Sequence, residues 1–166
     1  MAVDITMELS DWDEFQLNWR FRDPRWDLLD QRTISRIHPL STNSTFELFN
    51  LGKSIRGNYP YNLNAELYYA ISDFSLNEEI EGQTVKISDW FDSLPIIKDE
   101  KVYCLWSRFI PFSAVITDWE VFIINWNTFF YPFDVMTIFD STREWGLLFG
   151  QEEQVVYTRK FESVKI

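Results

Sequence analysis

One cysteine, one histidine and five glycines in 166 residues leave little material for most familiar active sites. A lone Cys104 cannot form an internal disulfide, and no thiolate cluster exists to hold zinc. His38 has no second histidine to share a metal, and a Ser-His-Asp triad would have to be built on that one ring, in a loop before Pro39. No Gly-flanked serine elbow, phosphate-cradling glycine loop or dinucleotide fingerprint is present. Nor is there the dense Asp/Asn/Gly pattern of a calcium loop. Neither a metal nor a cofactor is expected. No window approaches ~18 uninterrupted apolar residues, so no membrane-spanning helix is expected. Met1 to Ile5 carries no basic leader and no long apolar stretch, and the expectation is a soluble cytosolic protein. Scarce glycine and the absence of repeats or low-complexity linkers point to a single domain over residues 1–166.

Aromatic side chains and negative charge are abundant instead. Aromatics make up 18% of the chain, with eight tryptophans. They imply a heavily aromatic core, with some left over as anchors for a contact. Cys104, inside Val102-Tyr103-Cys104-Leu105-Trp106, reads as a buried structural thiol. Twenty-six acidic against fifteen basic residues give a net charge of −11. Such a surface repels nucleic acid and anionic lipid and attracts a basic protein, unless it merely keeps the chain in solution. The excess is uneven. Residues 61–100 hold nine acids against Lys86 and Lys98, while the segments on either side carry −2 each. Glu78, Glu79, Glu81, Asp89 and Asp92, with Trp90 or Phe91 as a neighbouring anchor, form the expected partner-binding site. A hydrated loop is the alternative. The Glu152-Glu153 turn and the Asp11, Asp13, Glu14 cluster are the other places where contact can be sought.

The periodicity predicts an α+β fold. Ser10 with Asp13 and Glu14 suggests a short helix over Asp11–Leu17. Alternation in Trp19-Arg20-Phe21-Arg22 suggests a half-buried strand. Residues Trp26–Ile37 fit helical turns. Ser41 can cap a helix running to Leu51, with Phe46 and Phe49 on one face and Gly52 as the stop. Residues 66–74 fit helix or strand, and Thr84–Ile87 a short strand. Ser88 to Asp92 opens a helix that Pro95 ends, and Lys101–Trp106 reads as a strand. Thr117-Asp118-Trp119-Glu120 has the form of a capping box ahead of a helix with Trp119, Phe122, Ile123, Trp126 and Phe130 at helical spacing. Met136–Phe139, Trp145–Phe149 and Gln154–Thr158 then read as strands separated by hairpin-length turns. The expected architecture is an antiparallel sheet whose C-terminal meander packs against this aromatic helix.

For catalysis only carboxylate pairs remain. Asp134 and Asp140 flank a strand and can in principle share a cleft, though so many acids make chance pairs common. The pattern Trp119, Phe122, Trp126, Phe129-Phe130-Tyr131-Pro132 with Asp134, then Trp145-Gly146-Leu147-Leu148-Phe149 and Glu152-Glu153, resembles a group of small bacterial proteins. These are assigned to immunity genes of toxin systems, including contact-dependent growth inhibition. It spans about a quarter of the chain, and Gln151 stands where that group would have a histidine. The resemblance implies a non-enzymatic protein that binds and neutralises a toxin, in particular a basic nuclease-type domain. The alternatives are an adaptor domain with another partner and a small carboxylate-dependent hydrolase.

Overall fold

The computed structural model describes residues 7–23, 25, 29–56, 67–71, 86–131, 134–149 and 155–160, with only the backbone described for 67–71. Its centre is a seven-stranded antiparallel sheet. The strands are β1 (His38–Pro39), β2 (Leu67–Ile71), β3 (Lys101–Trp106), β4 (Ser113–Asp118), β5 (Met136–Phe139), β6 (Trp145–Phe149) and β7 (Val155–Lys160), in the spatial order β1-β4-β3-β5-β6-β7-β2. Strands β5, β6 and β7 form the expected meander. Among the described residues the helices are α1 (Asn18–Arg22), α2 (Gln31–Ile34), α3 (Thr42–Leu51), α4 (Lys53–Arg56), α5 (Lys86–Ser93), α6 (Trp119–Ile124) and α7 (Trp126–Phe129), with a 3-10 turn at Trp12–Glu14.

Strand side chains alternate between two faces, and both faces are covered. Val102, Cys104 and Trp106 of β3, Met136 and Ile138 of β5, Leu147 and Phe149 of β6, and Val155 and Tyr157 of β7 share one core with Phe91, Trp119, Phe122 and Phe129. On the other face Leu105 and Phe139 meet Leu48 of α3, and Leu148 and Val156 meet Ile55 of α4. A sheet covered twice has strands that read as near-continuous apolar runs, and β5 is buried at every position. Gly146 lets α4 approach this closely, because a Cβ there would overlap Ile55 Cγ2. Cys104 is fully buried, and burial pushes its thiol far above the ordinary range.

The α+β class and the helix-on-meander packing match the sequence reading, as do the bounds of β3, β5 and β6. So does α3, where Ser41 Oγ accepts from the Ser44 amide at 3.2 Å and Gly52 follows the last turn. Phe46, however, does not join a buried face; it is 60% exposed.

Other segments differ. Trp19–Arg22 lies in helix α1, not a strand, and adjacent residues Arg20 and Phe21 are both buried where an alternating strand would place them on opposite faces. Lys86 and Ile87 open α5 instead of ending a strand, since Ile87 and Phe91, four residues apart, both reach the core. The helix expected over 11–17 shrinks to the turn Trp12–Glu14, and that over 26–37 to α2, capped by Asp30 on the Thr33 amide at 2.7 Å. Residues 26–28, 59–62, 72–85 and 150–154 lie outside the described residues.

The expected capping box is absent. Thr117 is a fully buried β4 residue whose hydroxyl donates to the Arg36 carbonyl at 2.9 Å. The free amides of α6 donate elsewhere, Trp119 to the Glu100 carbonyl at 2.8 Å and Glu120 to that of Lys98 at 2.9 Å. The sheet edge thus satisfies the helix start that a local motif was expected to satisfy. The helix also breaks at Asn125, into α6 and α7.

Candidate functional site

Helix α5 carries those members of the expected partner-binding set that are described, Asp89, Trp90, Phe91 and Asp92. Asp89 and Asp92 are exposed, while Phe91 is fully buried. Its ring lies 5.8 Å from Trp119 and 5.4 Å from Phe122. Phe91 therefore holds α5 to the core and cannot also meet a partner, which corrects its expected role as an anchor. Trp90 is half-buried and packs at the margin of the same core. Glu78, Glu79 and Glu81 fall outside the described residues, as does the Glu152-Glu153 turn. Asp89 and Asp92 lend negative field to this side, without an exposed aromatic beside them on α5.

A second acidic surface has more shape. The chain from Glu8 to Gln16 runs past the start of α3, which it meets through the Glu8 amide on Ser44 Oγ at 2.8 Å and the Ser41 amide on the Glu8 carbonyl at 2.8 Å. Between them lies a groove of about 420 Å³. Glu8, Leu9, Asp11 and Glu14 line one side, Thr42 and Asn43 another, and Pro111 and Phe112 of the β3–β4 loop the third. The lining holds three carboxylates and no cationic side chain. Glu8, Asp11 and Glu14 are exposed and make no ion pair among the described residues. The start of α3 supplies only about half a positive charge, so the groove stays negative. Asp11, Asp13 and Glu14 stood in the sequence as a secondary cluster; Glu8 and the loop 107–112 were not singled out. The available signal was a run of apolar residues, Phe109-Ile110-Pro111-Phe112, where a hairpin turn is expected to be polar.

Two further clefts are of mixed charge. One of about 520 Å³ is lined by Asp13, Asn18, Trp19, Arg22, Asp23 and Arg25. There Arg25 donates to Asp23 and holds its carboxyl down at about 2. The other, of about 370 Å³, lies between Asp30, Arg36 and Ile124.

The carboxylates suspected of catalysis are engaged in structure. Asp134 accepts from both terminal nitrogens of the Arg20 guanidinium, at 2.5 and 2.9 Å, and from the Tyr131 amide at 2.8 Å. Arg20 also lies over the Tyr131 ring, 4.3 Å from its centroid. Asp140, at the opposite end of β5, accepts from the Thr142 amide and hydroxyl and the Arg143 amide, shaping a turn in which Arg143 has φ 56°. The two do not share a cleft. Asp140 instead neighbours Glu100, and burial, with this second carboxyl, pushes the Glu100 pKa up. Burial alone would raise Asp118 too, but hydrogen bonds from Lys101 and Arg36 outweigh it and hold that carboxyl down. His38 is exposed in β1. Among the described residues no group of three His, Cys, Asp or Glu is arranged to hold a metal ion. Among them, too, no helix is long and apolar enough to cross a membrane.

No family model, curated protein or solved structure matches this chain.

Proposed function

We propose that this chain acts by binding a basic protein, without catalysis, and that the partner is a bacterial toxin domain which it neutralises as an immunity protein. The observation that carries this reading is the groove at Glu8, Asp11 and Glu14, whose charged lining residues are all carboxylates, on a chain of net charge −11. Nuclease-type toxin domains present basic substrate grooves, and a negative surface both speeds encounter with such a partner and rejects nucleic acid. Asp89 and Asp92, with Glu78, Glu79 and Glu81, add to the field that steers the partner in. On this reading the protein works in the bacterial cytosol, within a toxin–immunity system such as contact-dependent growth inhibition, and uses no cofactor.

A carboxylate hydrolase has less support. Asp134 is engaged by Arg20 and Asp140 by its own turn, at opposite ends of β5, so the two do not form a carboxylate pair in one cleft. The test is co-purification with the C-terminal domain of the toxin encoded directly upstream of the gene. A complex that survives moderate salt supports the proposal; the absence of any complex removes it.

A further inference from the structure

We propose that the β3–β4 tip, Ser107 to Phe112, is the apolar anchor that sets how long the basic partner stays bound, seated beside the Glu8–Asp11–Glu14 groove. This rests on the binding reading above and names the surface that serves it.

Hairpin tips in water are normally built from Gly, Asn, Asp and Ser. This one runs from Ser107 and Arg108 into Phe109, Ile110, Pro111 and Phe112, with the Arg108 guanidinium 5.3 Å from the centre of the Phe109 ring. Phe112 is half-buried, its ring 4.5 Å from that of Phe49 on α3, so the base of the tip is pinned to the body. Beyond it Phe109 is 72% exposed and Ile110 87% exposed. They neither fold back onto the core nor cover another element. Leu9, 55% exposed, faces the same groove from the other side, and Phe46, one turn before Phe49, is exposed as well. A fixed tip with exposed large side chains, beside a strip of carboxylates, has the composition of a binding hot spot with a charged rim.

Charge decides among occupants. A second copy would set Glu8, Asp11 and Glu14 against their own kind, with −11 on each molecule. An anionic membrane is repelled by the same residues. A protein surface with an apolar socket bordered by Lys and Arg satisfies both halves of the patch at once.

The test measures association and dissociation rates against the purified toxin domain named above, together with sedimentation of the protein alone. Phe109→Ser with Ile110→Ser should speed dissociation by roughly 100-fold, since two large side chains lose their burial, while association changes by less than about two-fold. Glu8→Gln, Asp11→Asn and Glu14→Gln together should instead slow association roughly ten-fold at low salt and flatten its salt dependence. If the native protein binds the toxin domain and the tip variant dissociates at the native rate, the tip is not the anchor, although the binding reading stands. If the native protein forms no complex, both fall. A native dimer that the tip variant converts to a monomer would make a second copy the occupant and overturn the proposal. So would binding to phosphatidylcholine vesicles that the tip variant loses.

Discussion

The helix–sheet interface around α6 and the tip between β3 and β4 are both rich in large apolar side chains, yet they use them in opposite ways. At the interface Trp119, Phe122, Phe129 and Phe149 are all under 2% exposed, and Phe122 meets Phe129 at 5.5 Å and Phe149 at 6.1 Å edge to face. At the tip Phe109 and Ile110 stand in water. The pattern that resembles immunity-type proteins lies at the interface, where an aromatic specifies packing. A shared aromatic pattern there speaks to the fold. Recognition has to be sought where apolar side chains remain uncovered.

The comparison breaks if interface residues prove dispensable. Phe122→Ala should cost about 3–5 kcal/mol in chemical denaturation, through lost burial and the cavity left among packed rings. Asp134→Ala should cost a similar amount, about 3–5 kcal/mol, because Arg20, 7% exposed, would keep a buried charge without its partner. Replacing both, as Arg20→Met with Asp134→Leu, should restore most of that loss. Such a rescue would show that the two charges matter to the fold through each other.

Smaller effects sharpen the contrast. Gly146→Ala should destabilise by about 1–3 kcal/mol, since α4 would have to move away from β6 to admit the methyl group. Glu100→Gln should raise stability at neutral pH. Burial and the adjacent Asp140 lift the folded-state pKa of Glu100, so the favourable protonated form is lost as pH rises through that value. The gain should vanish below the ordinary glutamate pKa of about 4.3, where the native residue is protonated in both states. Urea titrations across pH check the sign. Asp118 runs the other way, and its contribution disappears as pH falls through its lowered pKa. Smallest of all, Phe109→Ser with Ile110→Ser should shift stability by no more than about 0.5 kcal/mol, because neither side chain supports the fold.

Strands β3, β5 and β6 were legible because continuous apolar runs of strand length have few other uses, and α3 because Ser41 and Gly52 bracket it. Segments governed by distant partners were not. The alternation at Trp19–Arg22 looks like a strand until Asp134, far along the chain, is seen to draw Arg20 inward. The Thr117–Glu120 box looks sufficient until the Thr117 hydroxyl is seen to donate to the Arg36 carbonyl and the helix amides to the carbonyls of Lys98 and Glu100. For the site, acidity was visible in the sequence, but charge counting favoured residues 61–100. Only the fold brings Glu8, Asp11 and Glu14 alongside the 107–112 tip, and only the fold turns Phe91 inward.

Hydrogen–deuterium exchange of the protein alone and bound to the toxin domain tests the central claim most directly, because the tip and the 8–16 chain lie outside the long hydrogen-bonded strands and exchange more readily than the core. The account predicts new protection concentrated at residues 107–112 and 8–16, with little change along α5. Protection confined to α5, with the tip exchanging as in the free protein, would contradict it.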